Sequence, residues 1–151
     1  MFIFLGSFFY AGFLPKFPGT WTSLITLAPV YGLSLYSGPW GLLVFLAICC
    51  LLTYLTAPEF ERLYGRDPAA MVTDEAAGQT ATFLLIPFTG TGSDLWLMAG
   101  GLVLFRLFDI LKPLGLYQVQ RLPGAHGILI DDLIAGIYAY ICLKFIILVV
   151  L

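Results

Sequence analysis

Five of the nine acidic residues in this 151-residue chain, Asp74, Glu75, Asp109, Asp131 and Asp132, stand beside or inside apolar runs rather than in polar loops. Carboxylates are hard oxygen ligands. Grouped without histidine or cysteine, they suit Mg²⁺, which takes one or two carboxylates and completes its shell with water and substrate phosphate. His126 is the only histidine, so the set suits zinc poorly, and His126 itself reads as a loop or helix-end residue. Each acid also has a plainer role open to it. Asp74 and Glu75 start a helical run, where a carboxylate complements the positive end of the helix dipole. Asp109 follows Arg106 by three positions, close enough on a helix to be neutralised by it. Asp131 and Asp132 come after Ile128-Leu129-Ile130, too deep in their helix for the dipole to be a sufficient reason.

A phosphate bound beside such a metal needs donors. Lys16, Gly19, Thr20 and Ser23 lie at the start of the first long apolar run, where free N–H groups, hydroxyls and an ammonium form a candidate anion site. Arg106 and Lys112 are further candidates. They can equally serve as topological determinants or contacts to lipid headgroups.

The elements that must position these residues are apolar helices. Residues of the AVILMFWYC set make up 60% of the chain and charged residues 11%, against roughly 25% charged in an ordinary globular domain. The composition excludes disorder, and a net charge of -2 leaves no basic face for nucleic acid. Cys49, Cys50 and Cys142 sit in apolar runs without metal or redox spacing. The 42 residues between Lys16 and Glu59 carry no charge. As one helix they would reach about 63 Å, roughly twice a bilayer core, so the run must fold back. Ser37-Gly38-Pro39-Trp40-Gly41 is the natural break, giving spans near 22–36 and 41–57. A third apolar element covers 73–88, a fourth 94–109, and the last 127–151. The first 14 residues are apolar but short, and without a basic start or cleavage site they read as an interfacial or re-entrant segment.

The expected protein is therefore all-α: one polytopic membrane domain over residues 1–151, with about four transmembrane helices and a short apolar N-terminal segment. With the turns at 37–41 and 89–93 on one side, six of the seven basic residues fall on the other. The positive-inside rule makes that side cytoplasmic. All five acids then lie at the cytoplasmic ends of helices, and Asp94 is the one acid opposite. Small residues follow each acidic pair, Ala76-Ala77-Gly78 and Ala135-Gly136, so two helices can approach closely and bring the acids together.

Four motifs occur in order: Pro18-Gly19-Thr20-Trp21-x-Ser23; Asp74-Glu75-x-x-Gly78-Gln79; Phe105-Arg106-x-Phe108-Asp109-x-x-Lys112-Pro113; and Gly127-x-x-x-Asp131-Asp132-x-x-Ala135-Gly136. The set resembles the phosphatidylglycerophosphatase A family of bacterial membrane enzymes over most of the chain. The resemblance implies Mg²⁺-dependent conversion of phosphatidylglycerophosphate to phosphatidylglycerol at the cytoplasmic face of the inner membrane. It also implies that Glu75, Asp109, Asp131 and Asp132 are metal-binding or catalytic carboxylates. The chain departs from the family pattern at Thr22, where glycine is usual, at Leu114-Gly115 in place of a second proline, and at Gly124-Ala125-His126-Gly127.

Absences favour the same class. No Cys is followed six positions on by Arg, no Asp-x-Asp occurs, and one histidine is too few for the phosphatases that use two. A metal-activated water or a carboxylate nucleophile or base remains. The alternative is a small ion- or proton-coupled transport protein using the buried acids, which would need polar residues toward both faces. The membrane phospholipid is the expected partner; protein partners and homo-oligomerisation stay open.

Overall fold

The computed structural model describes residues 1–66, 68–113 and 115–150. Asp67, Leu114 and Leu151, which the sequence reading touches, lie outside them. Among the described residues there is no strand. The helices are α1 (Phe2–Gly6), α2 (Pro18–Tyr64), α3 (Thr73–Phe83), α4 (Ser93–Leu111), α5 (Leu116–Val119) and α6 (Ala125–Val150), with a 3-10 turn at Ala11–Phe13.

α2 contains the expected reversal. Gly38 takes φ 60°, ψ -151° inside an otherwise helical run of 47 residues. The Leu33 carbonyl oxygen comes within 3.4 Å of the place a Gly41 Cβ would occupy. In a straight helix two residues eight apart are about 12 Å distant along the axis. The element is a hairpin of two arms, and Pro39 after the glycine prevents the first arm from continuing. Gly19 on one arm and Thr53 on the other both reach the first turn of α3, at Glu75 and Thr73.

The third element differs from its expected extent of 73–88. α3 stops at Phe83 after 11 residues, about 16 Å at the helical rise and too short for a bilayer of about 30 Å. Nine of its residues are buried, among them Thr73, Gln79, Thr80 and Thr82. It is the central helix, surrounded by the α2 hairpin, α4 and α6, and its small side chains allow close approach on every side. Irregular backbone over 84–89 carries the chain onward, with Ile86 buried among Leu27, Val30, Leu42, Phe83 and Leu143. Non-helical peptide in an apolar setting is tolerated where protein covers it. By length and apolarity two helices can cross a membrane, Pro18–Tyr64 and Ala125–Val149. α4 carries Asp94, Arg106 and Asp109 within its 19 residues.

The N-terminal segment does not span. α1 is five residues long, Gly6 packs on Thr56 and Phe60, and the Val72 N–H donates to the Gly6 carbonyl at 3.0 Å. Gly12 presses on the carbonyl of Ala70. The segment thus buttresses the loop that leads into α3.

α3 and α6 meet backbone to backbone. A Cβ on Gly136 would lie 2.3 Å from the Gly78 carbonyl oxygen, and one on Gly78 would lie 2.6 Å from the Asp132 carbonyl oxygen. Neither position admits a methyl without moving a helix. Gly136→Ala should cost about 1–3 kcal/mol of stability. A thermal unfolding midpoint in detergent several degrees below that of the wild type is the expected result, and an unchanged midpoint would mean that the contact is slack.

Candidate functional site

At the end where α3 and α6 begin and α4 finishes, a polar chamber of about 160 Å³ opens. Asp74 and Glu75 enter it from the first turn of α3, Asp109 from the last turn of α4, and Asp131 and Asp132 from the second turn of α6. The structure thus brings together all five acids singled out by their setting in the sequence. α6 starts at Ala125 and has no acid in its first turn, so the dipole does not account for Asp131 or Asp132. Both are buried, at 3% and 4% exposure.

Two cations stand among the carboxylates. Arg106 Nη1 lies 2.9 Å from Asp109 Oδ2 and 3.6 Å from Glu75 Oε2. Lys112 Nζ donates to Asp131 Oδ2 and lies 3.9 Å from Asp109 Oδ1. Lys112 caps α4 in the left-handed conformation, φ 44°, ψ 53°, and Pro113 behind it has no N–H with which to extend the helix. Burial works against the Lys112 ammonium, but the hydrogen bond to Asp131 and the charges of Asp131, Asp132 and Asp109 outweigh it and raise its pKa above the usual lysine value. Lys112 is therefore a fixed positive charge at neutral pH.

Five carboxylates against two cations leave an excess of three formal negative charges. Buried like charges repel strongly unless a proton or a cation joins them. Asp132 Oδ2 is buried with no hydrogen-bond partner among the described residues. An oxygen-only set with an orphaned carboxylate oxygen and surplus negative charge fits a hard divalent cation. Among the described residues the acids do not converge as a closed group of three metal ligands. Arg106 and Lys112 already engage Glu75, Asp109 and Asp131.

The expected phosphate donors divide into two groups. Lys112 lines the chamber and Arg106 pairs with two of its acids. Lys16 and Thr20 are exposed and do not line it. Ser23 is fully buried, one turn further along α2. Gly19 has a different role from the one its motif suggests. A Cβ there would lie 1.9 Å from Glu75 Oε1 and 2.1 Å from Oε2, so the anion against this helix start is the protein's own carboxylate. A helix N-terminus favours such a neighbour.

Sequence reasoning passed over part of the wall: Pro68, Ala69, Met71, Gln120 and Ile128. Ile128 shares a face of α6 with Asp131, and the others come there only through the folding of two loops onto the acids. His126 is, as expected, a helix-end residue: it is exposed, and its Nδ1 lies 2.9 Å from the Tyr54 hydroxyl. Asp94, read as a lone acid on the far side, is 1% exposed. It accepts hydrogen bonds from the N–H groups of Thr89 and Gly90 and from the Thr89 and Tyr31 hydroxyls, so it closes the 89–93 loop.

The Gly19 contact yields a test. In Gly19→Ala the flexible carboxylate of Glu75 must give way, while the backbone need not. Activity should fall about tenfold or more, because displacements of about 1 Å at a reacting centre cost up to a hundredfold. The unfolding midpoint should hardly change. Normal turnover would remove Glu75 from the working site.

Residues 4–147 match the family described as phosphatidylglycerophosphatase A. A protein of Bacteroides thetaiotaomicron named as a candidate phosphatidylinositol-3-phosphatase is 33% identical over 92% of this chain and 89% of its own. Two proteins named phosphatidylglycerophosphatase A are also similar. That of Haemophilus influenzae is 38% identical over 88% of this chain and 80% of its own, and that of Escherichia coli is 33% identical over 91% and 78%. No solved structure matches the chain. The ordered motifs, the acids gathered from three helices and a match over nearly the whole length agree, and the chain belongs to the phosphatidylglycerophosphatase A family of phosphatases.

Proposed function

We propose that the protein removes the terminal phosphate of phosphatidylglycerophosphate, releasing phosphatidylglycerol, with Mg²⁺ at the cytoplasmic face of a bacterial inner membrane. The observation that carries this reading is the chamber itself: five carboxylates and two cations from three helices, with surplus negative charge, in a chain of this family. Glu75 with two or more of Asp74, Asp109 and Asp131 would hold the ion, leaving Asp132 for the attacking water. When bound, Mg²⁺ supplies a hard positive charge against the phosphoryl oxygens.

The chain's own groups do the rest. Lys112 and Arg106 offset the charge that spreads over the transferring oxygens. The paired acids Asp131 and Asp109 hold those two cations in place. Asp132, whose Oδ2 has no other partner among the described residues, orients the attacking water and accepts its proton. The water oxygen bonds to phosphorus as the P–O bond to glycerol breaks; the departing alkoxide takes a proton from solvent, and Asp132 returns its own proton there.

On this reading the membrane is crossed by the two arms of α2, by α4 and by α6, with α3 buried among them and the stretch after it leading to the 89–93 loop. The Gly38 turn and the 89–93 loop would face away from the cytoplasm. In a variant lacking Cys49, Cys50 and Cys142, a cysteine at Gly92 should react with an impermeant thiol reagent in intact cells. One at Gln118 should react only after the membrane is opened. The opposite pattern would reverse the orientation.

For the chemistry, phosphate release from phosphatidylglycerophosphate by the purified protein should need Mg²⁺ and stop in excess EDTA. Asp132→Asn and Asp131→Asn each remove one charge at nearly constant shape, and kcat should drop about a hundredfold or more, at about 1.36 kcal/mol per decade. Glu59→Gln, which breaks an exposed pair with Arg62, is the control for an equal charge change and should retain full turnover. Activity in EDTA would refute the metal, and near-normal turnover of both asparagine variants would refute the assignment of these acids. Phosphatidylinositol 3-phosphate is the comparison substrate, given the name of the Bacteroides relative.

A further inference from the structure

Two more cavities open at the same end as the acidic chamber. The inner one, about 300 Å³, is lined by Arg66, Tyr117, Gln120 and Arg121. The outer one, about 360 Å³, shares both arginines and adds Glu61, Pro123 and Gly124. Gln120 lines the inner cavity and the acidic chamber alike, so the two adjoin through one side chain.

The arginines come from loops far apart in sequence and are held together: Arg66 Nη2 donates to the Arg121 carbonyl oxygen at 2.8 Å. Among the described residues neither forms an ion pair. Glu61 stands on the outer side only. Two guanidinium groups sharing one hollow repel each other, and an anion seated between them turns that repulsion into attraction. The planar fork of arginine matches two oxygens of a phosphate, and the Tyr117 hydroxyl and Gln120 amide on the same wall offer further polar contacts.

We propose that the Arg66–Arg121 groove binds the phosphodiester of the lipid substrate, the internal phosphate that remains on the lipid after the terminal one is removed. The inference rests on the phosphatidylglycerophosphate reading above. A single glycerol separates the two phosphates of that lipid, so a second anion subsite must adjoin the chamber, as this groove does through Gln120. The groove makes the enzyme selective for lipids with two phosphates over a simple lipid monoester such as phosphatidic acid, which has no phosphodiester to place there.

The test uses the full chain in mixed detergent–lipid micelles, with Arg66→Gln, Arg121→Gln and the double variant. Each single change should raise KM for phosphatidylglycerophosphate about tenfold or more, as expected for losing a hydrogen bond to a charged group, and leave kcat nearly unchanged. Turnover of phosphatidic acid should not change, and Arg121→Lys should recover part of the loss by restoring the charge. Equal losses on both lipids, or no loss on either, would overturn the proposal. A binding arm keeps it separate from the assigned activity. The wild type should retain phosphatidylglycerol, which carries only the phosphodiester, in native mass spectrometry, and the double variant should lose it. If the wild type releases no phosphate but the variant still loses phosphatidylglycerol, the subsite stands and the phosphatase reading falls. If wild type and variant retain phosphatidylglycerol equally, the subsite falls.

Discussion

The close contact between α3 and α6 sets the geometry of everything that matters here. Gly78 and Gly136 touch through bare backbone, within 2.3 Å of where a side chain would begin. Both helices start at the same end of the molecule, so their directions agree. Asp74 and Glu75 precede Gly78 by about one turn, and Asp131 and Asp132 precede Gly136 by about one turn. Register at the glycines therefore becomes register at the acids. The crossing that lets the helices approach also determines which carboxylates face one another.

Bringing five carboxylates together is costly, and the structure meets the cost from α4. Arg106 leaves that helix in its second-last turn and Lys112 at its cap, one pairing with Asp109 and Glu75, the other with Asp131. The raised pKa of Lys112 is the signature of the surplus negative charge around it. Two cations cannot balance five ionised acids, so protons or a further cation, such as the proposed Mg²⁺, must meet the surplus. Glu75, already beside Arg106, also rests against Gly19, where the start of α2 offers a favourable dipole to a carboxylate.

The placement of α3 follows from its composition. Its run of Thr, Ala, Gly and Gln is too polar and too short to face lipid, yet small enough to be packed on all sides. Buried at the centre, its threonines return hydrogen bonds to the preceding turn, Thr80 to Ala76 and Thr82 to Gly78. The longer and more apolar helices enclose it. In the non-helical stretch after Phe83 Ile86 alone is fully buried, and Asp94 organises the loop that follows through the N–H groups of Thr89 and Gly90.

Much of this was determined by the sequence alone. An uncharged run too long for one crossing had to turn, and Gly38-Pro39 was the point where a helix could not continue. Acids set into apolar helices beside glycines had to meet a partner, and the ordered motifs indicated which family they belonged to. Tertiary structure decided the remainder. That α3 ends at Phe83 and lies inside the bundle depends on neighbours able to cover it, which no local pattern records. That Gly19 receives Glu75, while Lys16 and Thr20 stay in the open, depends on the angle at which α2 meets α3. Gln120, Arg66 and Arg121 carry no motif that ties them to the acids. Their place beside the chamber comes from two loops folding onto one end of the bundle, and long-range contacts of that kind have no periodicity or spacing from which to be read.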